Sequence, residues 1–294
     1  MKKIGFLTAG IAALLIGGCG GETAQVTTIP PAKPATEAAP AKPAAPATPA
    51  VDPVVTAAPA AKPATETAPT AAKTAFPKDK ATATVSGSVK VDGTPKAMKQ
   101  IDTSSDKYCA EKHKDTPAMK EEVIVSADKG LMNAFVYVKT GASDWSYEVP
   151  TEPVVIEQHG CIYVPHVVGV MAKQPLHVDS KDATTHNVHF VSKGANDSVN
   201  KTEVENQSLP FVFSSSEMGD VFKCDVHSWM QCHVEIMDHP FFAVTDKDGK
   251  FTLPKLPAGE YEFAVWHEKL GESSQKVKVE DGKAATVDFT LKAK

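Results

Sequence analysis

The segment Cys224-Asp225-Val226-His227-Ser228-Trp229-Met230 sets a thiol, an imidazole and a thioether three residues apart in one short loop. Soft sulfur donors combined with imidazole suit copper. A His₂Cys set with a weak, long axial Met is the donor arrangement of an electron-transfer copper site. Such a set needs a second histidine from elsewhere in the chain. Thr185-His186-Asn187-Val188-His189-Phe190, some forty residues upstream, offers two. Side chains alternate between the faces of a strand, so His186 shares a face with Val188 and Phe190, while His189 shares the other with Asn187. His186 is therefore expected to point inward and His189 outward.

These two motifs together resemble the cupredoxins, in particular the amicyanin type with its short Cys-x2-His-x2-Met loop. The resemblance spans roughly residues 150–238. It implies a Greek-key β-sandwich holding one type 1 (blue) copper, with His186 and His227 as imidazole ligands, Cys224 as thiolate and Met230 as axial ligand. The competing reading of the loop is a structural zinc site built from Cys224, His227, Cys232 and His233. Zinc favours closed Cys/His sets, and Met230 argues against it. A dinuclear copper site would need a Cys-x3-Cys arrangement before the histidine, which this loop lacks.

Other elements must carry that loop. Thr82–Val91, Asn133–Lys139, Phe241–Thr245, Lys250–Leu253, Glu260–His267, Gln275–Glu280 and Ala285–Lys292 read as strands, several with clean alternation such as Tyr261, Phe263 and Val265. Asp92-Gly93 and Asp246-Lys247-Asp248-Gly249 are turn signals. Short helices are expected at Asp106–Lys114 and Ala118–Glu122. The run from Phe242 to Leu253, followed by Leu256-Pro257-Ala258-Gly259-Glu260-Tyr261, resembles the carboxypeptidase regulatory-like domains, which are small transthyretin-like sandwiches. Ser86–Gly93 and Asn133–Val138 resemble earlier strands of the same family. The expected architecture is all-β: a regulatory-like sandwich from 82–140 and 239–294, with a cupredoxin domain at 141–238 between its halves.

The N-terminus reads as a bacterial export signal over residues 1–18. Lys2 and Lys3 precede an apolar stretch, Ile4–Ile16, that is too short to span a bilayer. Leu15-Ile16-Gly17-Gly18-Cys19 resembles a lipobox, which implies lipidation of Cys19 and a cell-envelope location on the periplasmic face of a membrane. Gly20 and Gly21, in place of a retaining aspartate, lean toward the outer membrane. Between Pro30 and Pro77 lie twelve of the 22 prolines, and Phe76 is the only aromatic between Glu22 and Lys80. Residues 19–80 are thus expected to form a disordered tether that cannot bury enough apolar surface to order itself. In polyproline II form, at about 3.1 Å per residue, it would reach on the order of 150 Å.

Of the remaining cysteines, Cys109 and Cys161 are natural disulfide partners in an exported protein. The alternative is a second metal site from Cys109, His113, Cys161 and His166. Cys232 departs from the cupredoxin pattern and reads as a small buried hydrophobe or a competing thiolate. His113, His159, His166, His177, His239 and His267 read as surface or satisfied histidines. Trp229, beside the ligand histidine, is a candidate for a partner docking patch.

A net charge of −5 without a basic cluster speaks against nucleic acid, and no Cys-x-x-Cys-His, phosphate loop or Gly-x-Ser-x-Gly is present. The expectation is a non-enzymatic copper protein passing electrons to an unknown redox partner such as a cytochrome or a copper enzyme. Copper delivery, and a structural or ligand-binding envelope lipoprotein, are the alternatives.

Overall fold

A computed structural model describes residues 73–293. The segments read as signal peptide, lipidated Cys19 and tether up to residue 72 lie outside the described residues. Two β-sandwiches make up the described chain. In one, Phe242–Val244, Phe135–Thr140, Gly259–His267 and Gly271–Val279 form an antiparallel sheet in that order. Its second sheet centres on Ala83–Asp92, which pairs antiparallel with Lys250–Leu256 and parallel with Ala284–Thr286 and Phe289–Lys292. Val85, Val89 and Val91 meet Tyr261, Phe263 and Val265 in the shared core.

The other sandwich occupies the middle of the chain. Its five-stranded sheet runs Val199–Glu203, His186–Val191, Glu217–Lys223, Gln231–Met237, Val167–Met171, and a four-stranded sheet runs Ser208–Val212, Pro175–Ser180, Val154–Gln158, Tyr163–Val164. Between them Ile156, Leu176, Val178, Val188, Phe190, Phe222 and Val234 are buried. The strand Glu217–Lys223 enters the candidate ligand loop and Gln231–Met237 leaves it, paired to each other.

The two sandwiches share a seam. Phe135 and Tyr137 turn away from their own core to pack with Val167, Met237 and Ala264. All four residues from Phe135 to Val138 are consequently buried, which is why this strand reads as a continuous apolar run rather than an alternating one. Gly169 sits at the closest approach, where an added Cβ would come within 2.6 Å of the Phe135 and Phe242 rings.

Several expectations need correction. Ala118–Glu122 is not a helix: Met119 bridges to Gln100, and Lys120 N–H donates to the Lys99 carbonyl, giving extended pairing instead. The segment expected as tether is already structured before residue 80. Thr74–Ala75 pairs with Trp145–Ser146, and Phe76 packs among Trp145, Tyr147 and Phe241. That aromatic cluster also binds residues 145–147 to the outer core, so the inner sandwich begins at Val154 rather than 141. The last predicted strand is two pieces, interrupted where the Val287 carbonyl lies against Gly87.

Glu235 and Asp220 are buried acids on neighbouring strands of the inner sandwich. Burial pushes Glu235 up to about 8, against one hydrogen bond from Gly219 N–H, and Asp220 adds to the rise. Burial likewise pushes Asp220 up to about 7.

Two measurements test this packing. Gly169→Ala should cost about 1–3 kcal/mol by overpacking the seam, read as a lower urea midpoint; an unchanged midpoint would show a looser seam. For Glu235, the folded pKa lies above the ordinary 4.5, so the folded state binds the extra proton. Its stabilising contribution is full below about pH 4.5 and is lost as pH rises through about 8. Glu235→Gln should therefore stabilise the protein at pH 8 more than at pH 5, by on the order of 1–3 kcal/mol. Equal gains at both pH values would contradict the buried-acid assignment.

Candidate metal centre

His186 opens the strand His186–Val191, with its ring fully buried. Val188 and Phe190 follow it into the core, while His189 on the opposite face stays partly exposed against Asp225. The loop Cys224–Met230 folds back on itself: Met230 N–H donates to the His227 carbonyl and Cys224 N–H to the Met230 carbonyl. Both His227 and Cys224 are buried, and Met230 lies in the same apolar cluster.

The chemistry-bearing atoms converge. His186 Nδ1 and His227 Nδ1 are 2.9 Å apart, and Cys224 Sγ lies 3.9 Å from the first and 3.7 Å from the second. Backbone N–H groups of Asn187 and His227 point at the sulfur from 3.5 and 3.4 Å. Burial alone would push the Cys224 thiol up, but His186 and these two N–H groups hold it below its ordinary range. Burial opposes charge on His186 as well, yet Asp182 and Cys224 raise it to about 9. His186 and the two N–H groups thus favour an ionised sulfur, the form that soft metals take. His227 is held low, first by burial and then by the charge of His186.

Behind each ring stands a carboxylate. His186 Nε2 meets Asp182 at 3.1 Å, and the two Asp182 oxygens accept from Gly160 N–H and Cys161 N–H. His227 Nε2 is 3.4 Å from Asp106, which also caps the short helix Lys107–Lys112 and accepts from Thr184. With the outer nitrogens held, the Nδ1 atoms are free to face a common ligand. Neither aspartate was legible as part of the site from the sequence. Carboxylates are common; Asp182 lies only four residues before His186 but in a loop whose course the sequence does not show, and Asp106 comes from far outside either motif.

Cys109 and Cys161 are joined by a disulfide, and Cys109 Sγ lies 3.6 Å from His227 Nε2. The bridge clamps the helix at Lys107–Lys112 over the His227 ring, which is only 1% exposed. The second metal set of Cys109, His113, Cys161 and His166 is not assembled: its sulfurs are bonded, His113 meets the Gly160 carbonyl, and His166 pairs with Glu268. Nor are Cys232 and His233 brought to the zinc geometry. Cys232 is buried in the core with its thiol pushed up by burial, and His233 turns toward Glu268. Of the other histidines, His159 is exposed, His177 half-buried, His239 buried against the Val138 carbonyl, and His267 buried with Nδ1 accepting from Lys269 and Leu270 N–H. Trp229 packs at a tilt against His227, ring centres 5.1 Å apart, and its Nε1–H donates to the Cys161 carbonyl. It is half-buried and lines a cavity of about 130 Å³ together with Tyr163, His166 and Met230.

The donor set fits copper. Two free Nδ1 atoms, one thiolate and a thioether-bearing residue in the same loop match its preferences, and no carboxylate competes for the inner positions.

A family model of the carboxypeptidase regulatory-like domain matches residues 233–292. Its first residue falls inside the strand Gln231–Met237 of the inner sandwich. No curated protein matches the chain. Among solved structures, the chain is similar to the Cu-containing nitrite reductase of Thermus scotoductus SA-01, at 14% identity over 34% of this chain and a TM-score of 0.28. It spans about a quarter of that enzyme's length, the covered share being 25%. A mutant of amicyanin with Cu(I) is 20% identical over 30% of this chain and 86% of its own, with a TM-score of 0.27. A purple cupredoxin from Nitrosopumilus maritimus is 14% identical over 28% and 98%, with a TM-score of 0.25.

Asn187 straps the ligand loop to its strand. Its Oδ1 accepts from Asp225 N–H and Val226 N–H, and its Nδ2 donates to Asn200 and Asp225. Asn187→Ala should leave those loop amides unanswered, at a cost of about 1–3 kcal/mol. Hydrogen exchange at Asp225 and Val226 should accelerate selectively. Unchanged exchange at both amides would remove Asn187 from this role.

Proposed function

We propose that this chain is a mononuclear copper protein that carries single electrons, with His186, Cys224, His227 and Met230 as its ligands. The observation that carries the reading is the buried convergence of His186 Nδ1, His227 Nδ1 and Cys224 Sγ. Bound copper would supply a one-electron couple. The chain's own residues keep the thiolate ionised, fix both imidazoles through Asp182 and Asp106, and keep water away. A fixed, buried donor set changes little between oxidation states, which favours transfer over exchange of the metal. Copper delivery, the competing reading, calls for an exposed site that releases the ion readily.

Nothing in this scheme transforms a substrate, so the proposal is of a carrier and not an enzyme. Electrons would enter near Trp229, the half-buried aromatic in contact with the His227 ring, and Val226, an exposed apolar residue of the same loop. The partner would be another redox protein, such as a cytochrome or a copper enzyme. Lipidation at Cys19 and a Pro/Ala-rich tether would hold the carrier at the periplasmic face of a membrane, the outer one favoured. Among the described residues no helix is long and apolar enough to cross a membrane.

Full-length protein should bind one tight Cu(II) and absorb intensely at about 600 nm through thiolate charge transfer. Cys224→Ser and His186→Ala should abolish the band, and His189→Ala should leave it nearly unchanged. A protein that takes up no copper, or one whose band depends on His189 and not His186, would overturn the ligand assignment. The reduced protein should also keep its copper against a modest Cu(I) chelator and recover its band on reoxidation. Rapid loss of Cu(I) would favour delivery. Trp229→Ala should slow reduction by a partner while barely changing the spectrum.

A further inference from the structure

A second group of metal-binding side chains lies where the two sandwiches meet. His166 stands at the start of Val167–Met171, and His233 lies on the neighbouring strand Gln231–Met237, its N–H donating to the His166 carbonyl. Glu268 follows directly on Gly259–His267 of the other sandwich. One ligand atom from each of the three falls within 4.8 Å of the others. The Glu268 carboxylate is 4% exposed, and its Oε1 meets His166 Nε2. Its Oε2 is 3.4 Å from His233 Nε2 and 3.2 Å from Lys269 Nζ, which also reaches Glu122. At His233 both ring nitrogens are buried without a hydrogen-bond partner. A buried ring nitrogen left unanswered is costly, and here Nε2 has only the Glu268 carboxylate, at 3.4 Å and beside a second imidazole. His267 accepts two backbone N–H groups through Nδ1 and so fixes the turn that presents Glu268.

We propose that His166, His233 and Glu268 form a second metal site, separate from the copper ligands, that takes a divalent first-row ion of the zinc type. Two imidazoles and one carboxylate are the donor set of zinc sites that keep a further coordination position. The absence of sulfur makes the site unsuited to Cu(I). His166 also lines the cavity of about 130 Å³ that holds Trp229 and Met230, so the remaining position would open toward the copper loop. Because two ligands come from one sandwich and the third from the other, the ion would clamp the seam and stabilise the fold by binding only the folded state.

The test uses full-length protein carrying one equivalent of copper, titrated with Zn²⁺ by calorimetry and checked by elemental analysis. One further equivalent should bind without change in the visible band, and it should raise the melting temperature. Glu268→Gln and His233→Gln should each lose that equivalent and its thermal shift while keeping the band. In a Cys224→Ser background one zinc equivalent should persist and disappear when Glu268→Gln is added, so the site stands even if the copper reading fails. Absence of a second equivalent in the wild type, or its retention in both variants, would overturn the proposal and leave a structural ion pair among Glu268, His166 and Lys269.

Discussion

Two imidazole nitrogens held 2.9 Å apart in a buried pocket would drift away from one another unless something behind each ring held it in place. Asp182 and Asp106 supply that restraint. Much of the inner sandwich can be understood as the means of delivering them. Asp182 is itself pinned by the Gly160 and Cys161 amides at the end of one strand pair. Asp106 caps a six-residue helix that the disulfide ties to that same corner. Remove either carboxylate and a ring nitrogen becomes an unanswered donor in a dry site, at a cost comparable to losing a buried hydrogen bond.

The seam obeys a related logic with apolar groups. A four-stranded sheet that must serve its own core and a neighbouring sandwich needs large side chains on both faces. Phe135 and Tyr137 on one side, and Val136 and Val138 on the other, meet that need. Gly169 lets the neighbour come close enough to be useful. The polar cluster around Glu268 lies at the edge of this same contact, so the two sandwiches are joined by both packing and charge.

Most of the candidate donor set was legible because its signal is local. Cys224, His227 and Met230 fall within seven residues, and strand alternation alone separates His186 from His189. The strands of the outer sandwich were legible for the same reason, since alternation at Tyr261, Phe263 and Val265 needs no partner to be seen. What could not be read depends on distant atoms. Phe76 is one aromatic in a Pro/Ala-rich context, and only the proximity of Trp145, Tyr147 and Phe241 gives it a place to pack. The Ala118–Glu122 segment has helical composition but is claimed by pairing to Lys99 and Gln100. Asp106 and the group formed by His166, His233 and Glu268 each join segments whose sequences carry no mark of one another.

The strand Ala83–Asp92 reaches its partners across nearly the whole described chain; Ser88 and Asp288, for instance, are hydrogen-bonded at a separation of 200 residues. Closing so long a loop in a flexible chain has an entropic cost that grows with length, and non-local pairing of this kind slows folding. The inner sandwich shortens the search. Val154 and Met237 bound a unit with its own buried core, and the flanking segments leave it near the seam. Once that unit condenses, the outer strands need only find one another across a small gap. The nesting thus shortens the loop that the outer strands must close once the inner sandwich is in place.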